Sequence, residues 1–117
     1  MIDGIVSGKL LLKPKLLQTR RGTPYVIAKM SVYGYQSGNI PACRMNADVI
    51  AFDRELCARL LDCGAGEILS LCGIIRPVEV EEITGREIVL RITAKAIIDS
   101  YMDSQAKGKG RLFNVAV

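Results

Sequence analysis

The sequence has no histidine and no tryptophan. Without histidine, the commonest general base is missing. The four cysteines, Cys43, Cys57, Cys63 and Cys72, form no Cys-x-x-Cys pair. A zinc site would need all four thiolates from scattered positions, so no metal or other cofactor is expected. The cysteines read as small, reduced, mostly buried hydrophobes. No P-loop, nucleophile elbow or Gly-x-Gly-x-x-Gly occurs. Together these absences point away from an enzyme. No apolar run approaches the ~20 residues that span a bilayer. The start, Met-Ile-Asp-Gly, lacks the basic and apolar segments of a secretion signal. The expected setting is cytoplasmic, with no membrane partner.

Acids are missing from one long stretch. None occurs between Gly4 and Ala47, which holds Lys9, Lys13, Lys15, Arg20, Arg21, Lys29 and Arg44. From Asp48 to Asp103 there are eleven acids against six bases, and beyond that Lys107, Lys109 and Arg111 make the tail basic. The net charge of +4 hides this asymmetry. A one-signed N-terminal half is the electrostatic footprint of a polyanion binder. The chain is long enough, at 117 residues, for one domain with a real core. Half of it is hydrophobic, and its mean hydropathy of +0.25 points to apolar surface hidden between subunits.

The elements follow from period and punctuation. Residues 2–12 alternate loosely and form a first strand, with Gly8 marking a bend or a close backbone approach. Lys13-Pro14 stops regular pairing. Thr19 to Thr23 reads as a turn carrying Arg20 and Arg21. Tyr25 to Tyr35 is a second strand: Val26, Ala28, Met30 and Val32 face the core, and Tyr25, Ile27, Lys29, Ser31, Tyr33 and Tyr35 face away. A third strand runs to Phe52. A helix begins at Arg54, with Asp53 as its cap, Leu56, Leu60 and Cys63 on one face, and Gly64 as its left-handed stop. Residues 67–80 form a fourth strand with a bend at Gly73. Glu82 to Gly85 is a hairpin turn. Residues 86–98 form the fifth strand, in which Ile88, Leu90, Ile92 and Ala94 alternate with Glu87, Val89, Arg91 and Thr93. The order predicts an all-β fold, a five-stranded OB-fold Greek-key barrel with one short helix between strands 3 and 4. Residues 1–103 would form that domain and 104–117 a basic and apolar tail. The uncharged Leu112 to Val117 segment is expected to dock by strand addition.

Ser7-Gly8-Lys9-Leu10, Pro14 and Arg21-Gly22 resemble the first part of bacterial single-stranded DNA-binding proteins. Ala51-Phe52-Asp53 with Leu56 and Leu60 is similar to that family's strand-into-helix segment. Gly66, Leu71, Gly73 and Arg76 match its next strand. The resemblance covers roughly residues 4 to 101; the primosomal replication protein with an OB-fold is a close relative. It implies sequence-nonspecific binding of single-stranded DNA, assembly into homodimers or homotetramers by pairing of first strands, and partners among replication, repair or recombination proteins. Phosphates would be held by Lys9, Lys13, Lys15, Arg20, Arg21, Lys29 and Arg76. Bases would stack on Tyr33, Tyr35 and Phe52, the last matching the family's stacking phenylalanine. The chain departs from the family in lacking tryptophan: Tyr33 and Tyr35 stand where one closes the second strand, and neither Asn46-Ala47 nor Glu79-Val80 supplies an aromatic. The acidic, partner-recruiting tip is replaced by a basic linker and an apolar end. The alternative is an OB-fold interaction subunit, of primosome or conjugation type, with weak or no DNA binding.

Overall fold

The computed structural model describes residues 2–34, 38–39 and 41–98. Tyr35 and the tail, including Leu112 to Val117, lie outside these residues. The chain runs β1 (Ile2–Leu10), β2 (Lys15–Gln18), β3 (Pro24–Gly34), β4 (Cys43–Ala51), α1 (Arg54–Leu61), β5 (Ile68–Glu82) and β6 (Gly85–Ile97). Five long strands match the expected ones. The short β2 is an addition: it pairs antiparallel with β3, Lys15 opposite Ile27 and Leu17 opposite Tyr25.

The strand order is β1-β5-β6-β4-β3-β2, and β1 also pairs with β3. That second pairing closes the five long strands into a barrel. β1 does both by bending: Ile2 to Lys9 pair with β5, while Gly8 to Leu10 pair with β3. A Cβ on Gly8 would run into the Ser31 carbonyl of β3. Gly73 occupies the equivalent place on β5, where a Cβ would strike the Thr93 carbonyl of β6. Both glycines are buried, and both allow the close backbone approach the sequence called for. At Gly73 the β5–β6 register shifts, leaving Lys95 without a partner on β5. β4 and β6 run parallel, the long-range crossover of the Greek key.

The interior is filled by Val26, Ala28 and Met30 of β3, Val49 and Ala51 of β4, Leu69, Leu71 and Ile75 of β5, and Ile92 and Ala94 of β6. Val32 is half-buried beside them. Leu56, Cys57 and Leu60 turn one face of α1 into this core. Asp53 caps the helix, its carboxylate accepting the Leu56 N–H at 2.9 Å. Gly64 does not take the left-handed conformation expected of it. α1 ends on Asp62 in right-handed geometry, and Gly66 has the positive φ, +90°. The reason is local: the Gly64 N–H donates to the Glu67 carboxylate, and the chain turns two residues later. The fifth-strand alternation also fails at one end. Ile88 is exposed while Val89, opposite Val78 of β5, is buried, so toward the hairpin end the covered face is the opposite one.

Candidate nucleic-acid interface

The registers assemble ordered rows on the outer face of the barrel. Directly opposed residues on paired strands share a face. One row runs Lys15, Ile27, Ile50, Thr93, Ile74 across β2, β3, β4, β6 and β5. The next runs Lys29, Asp48, Arg91, Arg76 across β3, β4, β6 and β5. Rows on one face lie ~7 Å apart, two residues of strand rise. Ile27, Ile50 and Thr93 of the first row and all four residues of the second line a groove of about 410 Å³. Beyond the apolar row, Tyr25 and Phe52 meet with ring centroids 5.8 Å apart at an angle of 37°. Phe52 is half-exposed there. The face therefore reads aromatic, apolar, charged along the strands.

Charge in the third row is unbalanced. Lys29 pairs with Asp48 at 3.4 Å, both well exposed, a contact contributing ~0–1 kcal/mol. Arg76 and Arg91 stand opposite each other, and neither has an ion-pair partner among the described residues. Like charges facing across a sheet repel. An anion set between the two guanidiniums would relieve that repulsion and accept from both forks.

The residues singled out in the sequence fall into separate places. Lys29, Arg76 and Phe52 lie on this face, and Lys15 adjoins it. Arg20 and Arg21 sit in the turn leading into Tyr25, held by the Thr23 N–H to the Thr19 Oγ1 (3.1 Å) and by Gly22 at φ +86°. Lys13 is turned elsewhere: its Nζ donates to the carbonyls of Leu61 at 2.8 Å and Cys63 at 3.3 Å, at the negative end of α1. Lys9 and the exposed Tyr33 line a separate, smaller hollow with Ser7 and Ile68, Lys9 standing opposite Ser31, one row beyond Lys29. Tyr25, Asp48 and Arg91 on this face were not singled out. Tyr25 carries the ring against Phe52, and the outward parity of Tyr25, Ile27 and Lys29 was its available signal. Arg91 had no signal, since only the β6 register sets it beside Asp48 and Arg76.

The two loops bordering this face differ in sign. Residues 11–23 carry Lys13, Lys15, Arg20 and Arg21 and no acid. The β5–β6 hairpin carries Glu79, Glu81, Glu82 and Glu87 against Arg86. Arg86 is already engaged by Glu79 at 3.1 Å and Glu81 at 3.9 Å. Among the described residues, no group of three or more Cys, Asp or Glu is placed to hold a metal ion, and no helix is long and apolar enough to cross a membrane.

Solved structures share this architecture. The small single-stranded DNA-binding protein from Streptomyces coelicolor superposes with a TM-score of 0.63 at 16% identity, covering 82% of this chain and 91% of its own. A Plasmodium falciparum single-stranded DNA-binding protein, solved with single-stranded DNA, superposes at 0.59 with 7% identity, covering 80% of this chain and 85% of its own. The fold is an OB-fold. In this fold the second and third barrel strands, here β3 and β4, and the flanking loops form the usual face for oligonucleotides. That is the face bearing the aromatic, apolar and charged rows. No protein-family model matches the sequence, and no curated protein is similar to it in sequence.

Proposed function

We propose that the protein binds single-stranded DNA along the β3–β4 face, without a chemical step, in replication, repair or the maintenance of a mobile element. The observation that carries this reading is the ordered face itself. Tyr25 and Phe52 offer stacking surface, Ile27 and Ile50 an apolar floor, and Arg76 and Arg91 an unneutralised cationic pair. Single-strand binders combine these two elements, with stacking contributing ~1–3 kcal/mol per base. The strand would enter over the basic residues 11–23 and leave before the acidic hairpin, which repels phosphate. A half-exposed phenylalanine and a partly buried tyrosine instead of tryptophans set a weaker platform. Titration of an unstructured oligonucleotide against salt tests the reading. Affinity should fall steeply as salt rises, with a log–log slope of ~0.7 per phosphate contacted. Absence of binding at low salt would refute it.

A homo-oligomer is part of the same proposal. Ile2 to Ser7 of β1 pair only with β5, leaving one edge open among the described residues. Ile5, on this stretch of β1, is 65% exposed. An open edge beside an exposed isoleucine is a surface that a second copy covers.

A second reading is favoured by the hairpin. Its acids, with Ile83 fully exposed and Ile88 half-exposed, suit a basic protein partner better than a nucleic acid. An interaction subunit would show little oligonucleotide binding at any salt, and the same titration separates the two.

A further inference from the structure

Asp48 is the one carboxylate among the described residues lining the groove, and a groove made only for phosphates has no use for it. Its neighbours across the sheet are Lys29 on one side and Arg91 on the other. Its Oδ1 faces the Lys29 ammonium at 3.4 Å, and the side chain is 48% exposed. A carboxylate offers about four acceptor sites, so most remain open to a ligand. A phosphate placed there would be repelled. The phosphate belongs between Arg76 and Arg91, on the far side of Arg91 from Asp48. A base attached to that nucleotide and lying over Ile27 and Ile50 brings its edge to the neighbouring row, at Asp48.

Resting on the proposed DNA-binding reading, we propose that Asp48 reads base edges, and that the groove prefers guanine. Guanine presents two parallel donors, N1–H and N2–H, to the two carboxylate oxygens. Cytosine and adenine present one amino group. Thymine presents one N–H between two carbonyls, which the carboxylate repels. Binding would then be tolerant of sequence but not indifferent to it.

The test uses the full chain and three 12-mers at one low salt concentration. One is all thymine; in the second every third base is guanine; in the third it is hypoxanthine, which lacks the N2 amino group. Guanine so spaced does not fold on itself. The guanine oligonucleotide should bind about fivefold to tenfold tighter than the thymine one, the low end of a bidentate base contact, with hypoxanthine between. In Asp48→Asn a negative charge is gone, so the thymine oligonucleotide should bind more tightly while the guanine preference shrinks below twofold. Equal binding of guanine and thymine by the wild type overturns the proposal. So does a preference that Asp48→Asn retains. The hypoxanthine comparison needs no variant and stands even if Asp48→Asn folds poorly. Binding of all three without preference refutes only the role of Asp48. Binding of none refutes the proposed function, and this inference with it.

Discussion

Arg76 and Arg91 face each other across β5 and β6, and the one nearby carboxylate, Asp48 on the other side of Arg91, is engaged by Lys29, so the pair carries a repulsion that an arriving anion would relieve. Arg91→Ala should therefore lower oligonucleotide affinity and reduce the salt slope by ~0.7, while leaving the melting temperature unchanged or slightly higher. A lower melting temperature with unchanged binding would show the arginine to be structural. The cysteines separate at the same scale. Cys43 is exposed. Burial pushes the Cys57 and Cys63 thiols up, and the Cys57 Sγ–H also donates to the Ala51 carbonyl at 3.2 Å. A raised thiol holds less thiolate at any given pH, and thiolate is the reactive form. A thiol reagent near neutral pH should modify Cys43 well before Cys57, with Cys57 released on unfolding. Equal rates in the native protein would contradict the buried placement.

At the scale of elements, the bends of β1 and β5 depend on two glycines. Gly8→Ala and Gly73→Ala each press a methyl into a backbone carbonyl of the adjacent strand. Neither strand can retreat without breaking its ladder, so each should cost ~3 kcal/mol or more, within the range of severe overpacking. Gly22→Ala has open space around it and should cost ~1 kcal/mol from its positive φ alone. Denaturant titration of the three variants orders them; a Gly8→Ala variant as mild as Gly22→Ala would mean that β1 does not close the barrel as described. The hairpin is the other element with a testable sign. Glu81→Lys with Glu82→Lys leaves the barrel untouched and should strengthen oligonucleotide binding several-fold, an effect that salt weakens. Unchanged affinity would put the bound strand far from the hairpin.

For the whole molecule, assembly is the open quantity. A species of 12.8 kDa that does not change with concentration in sedimentation would exclude pairing through β1. If β1 is the interface, Ile5→Lys should shift the population toward monomer, since it places a charge on the exposed side of that strand. Closure also bears on folding. The β1–β3 and β4–β6 contacts join distant parts of the chain, and such topologies fold more slowly than local ones.

The local elements were legible in the sequence because their causes are local. The Asp53 cap, the outward parity of Tyr25, Ile27 and Lys29, the glycine bends and the two-residue turn at Ile83-Thr84 each follow from a few neighbouring residues. The short β2 was not legible: Lys15 to Gln18 has no period of its own and becomes a strand by borrowing the edge of β3. The candidate binding face was only half legible. A run without acids shows that cations gather, but not which of them meet. Lys13 is drawn to the carbonyl end of α1 and Lys9 stands opposite Ser31, one row beyond Lys29, while Arg91, from the acidic half, joins Lys29 and Arg76. That sorting is decided by strand register, above all the parallel pairing of β4 with β6. Register across a barrel is set by which side chains fill the common core, and that is a property of the whole fold.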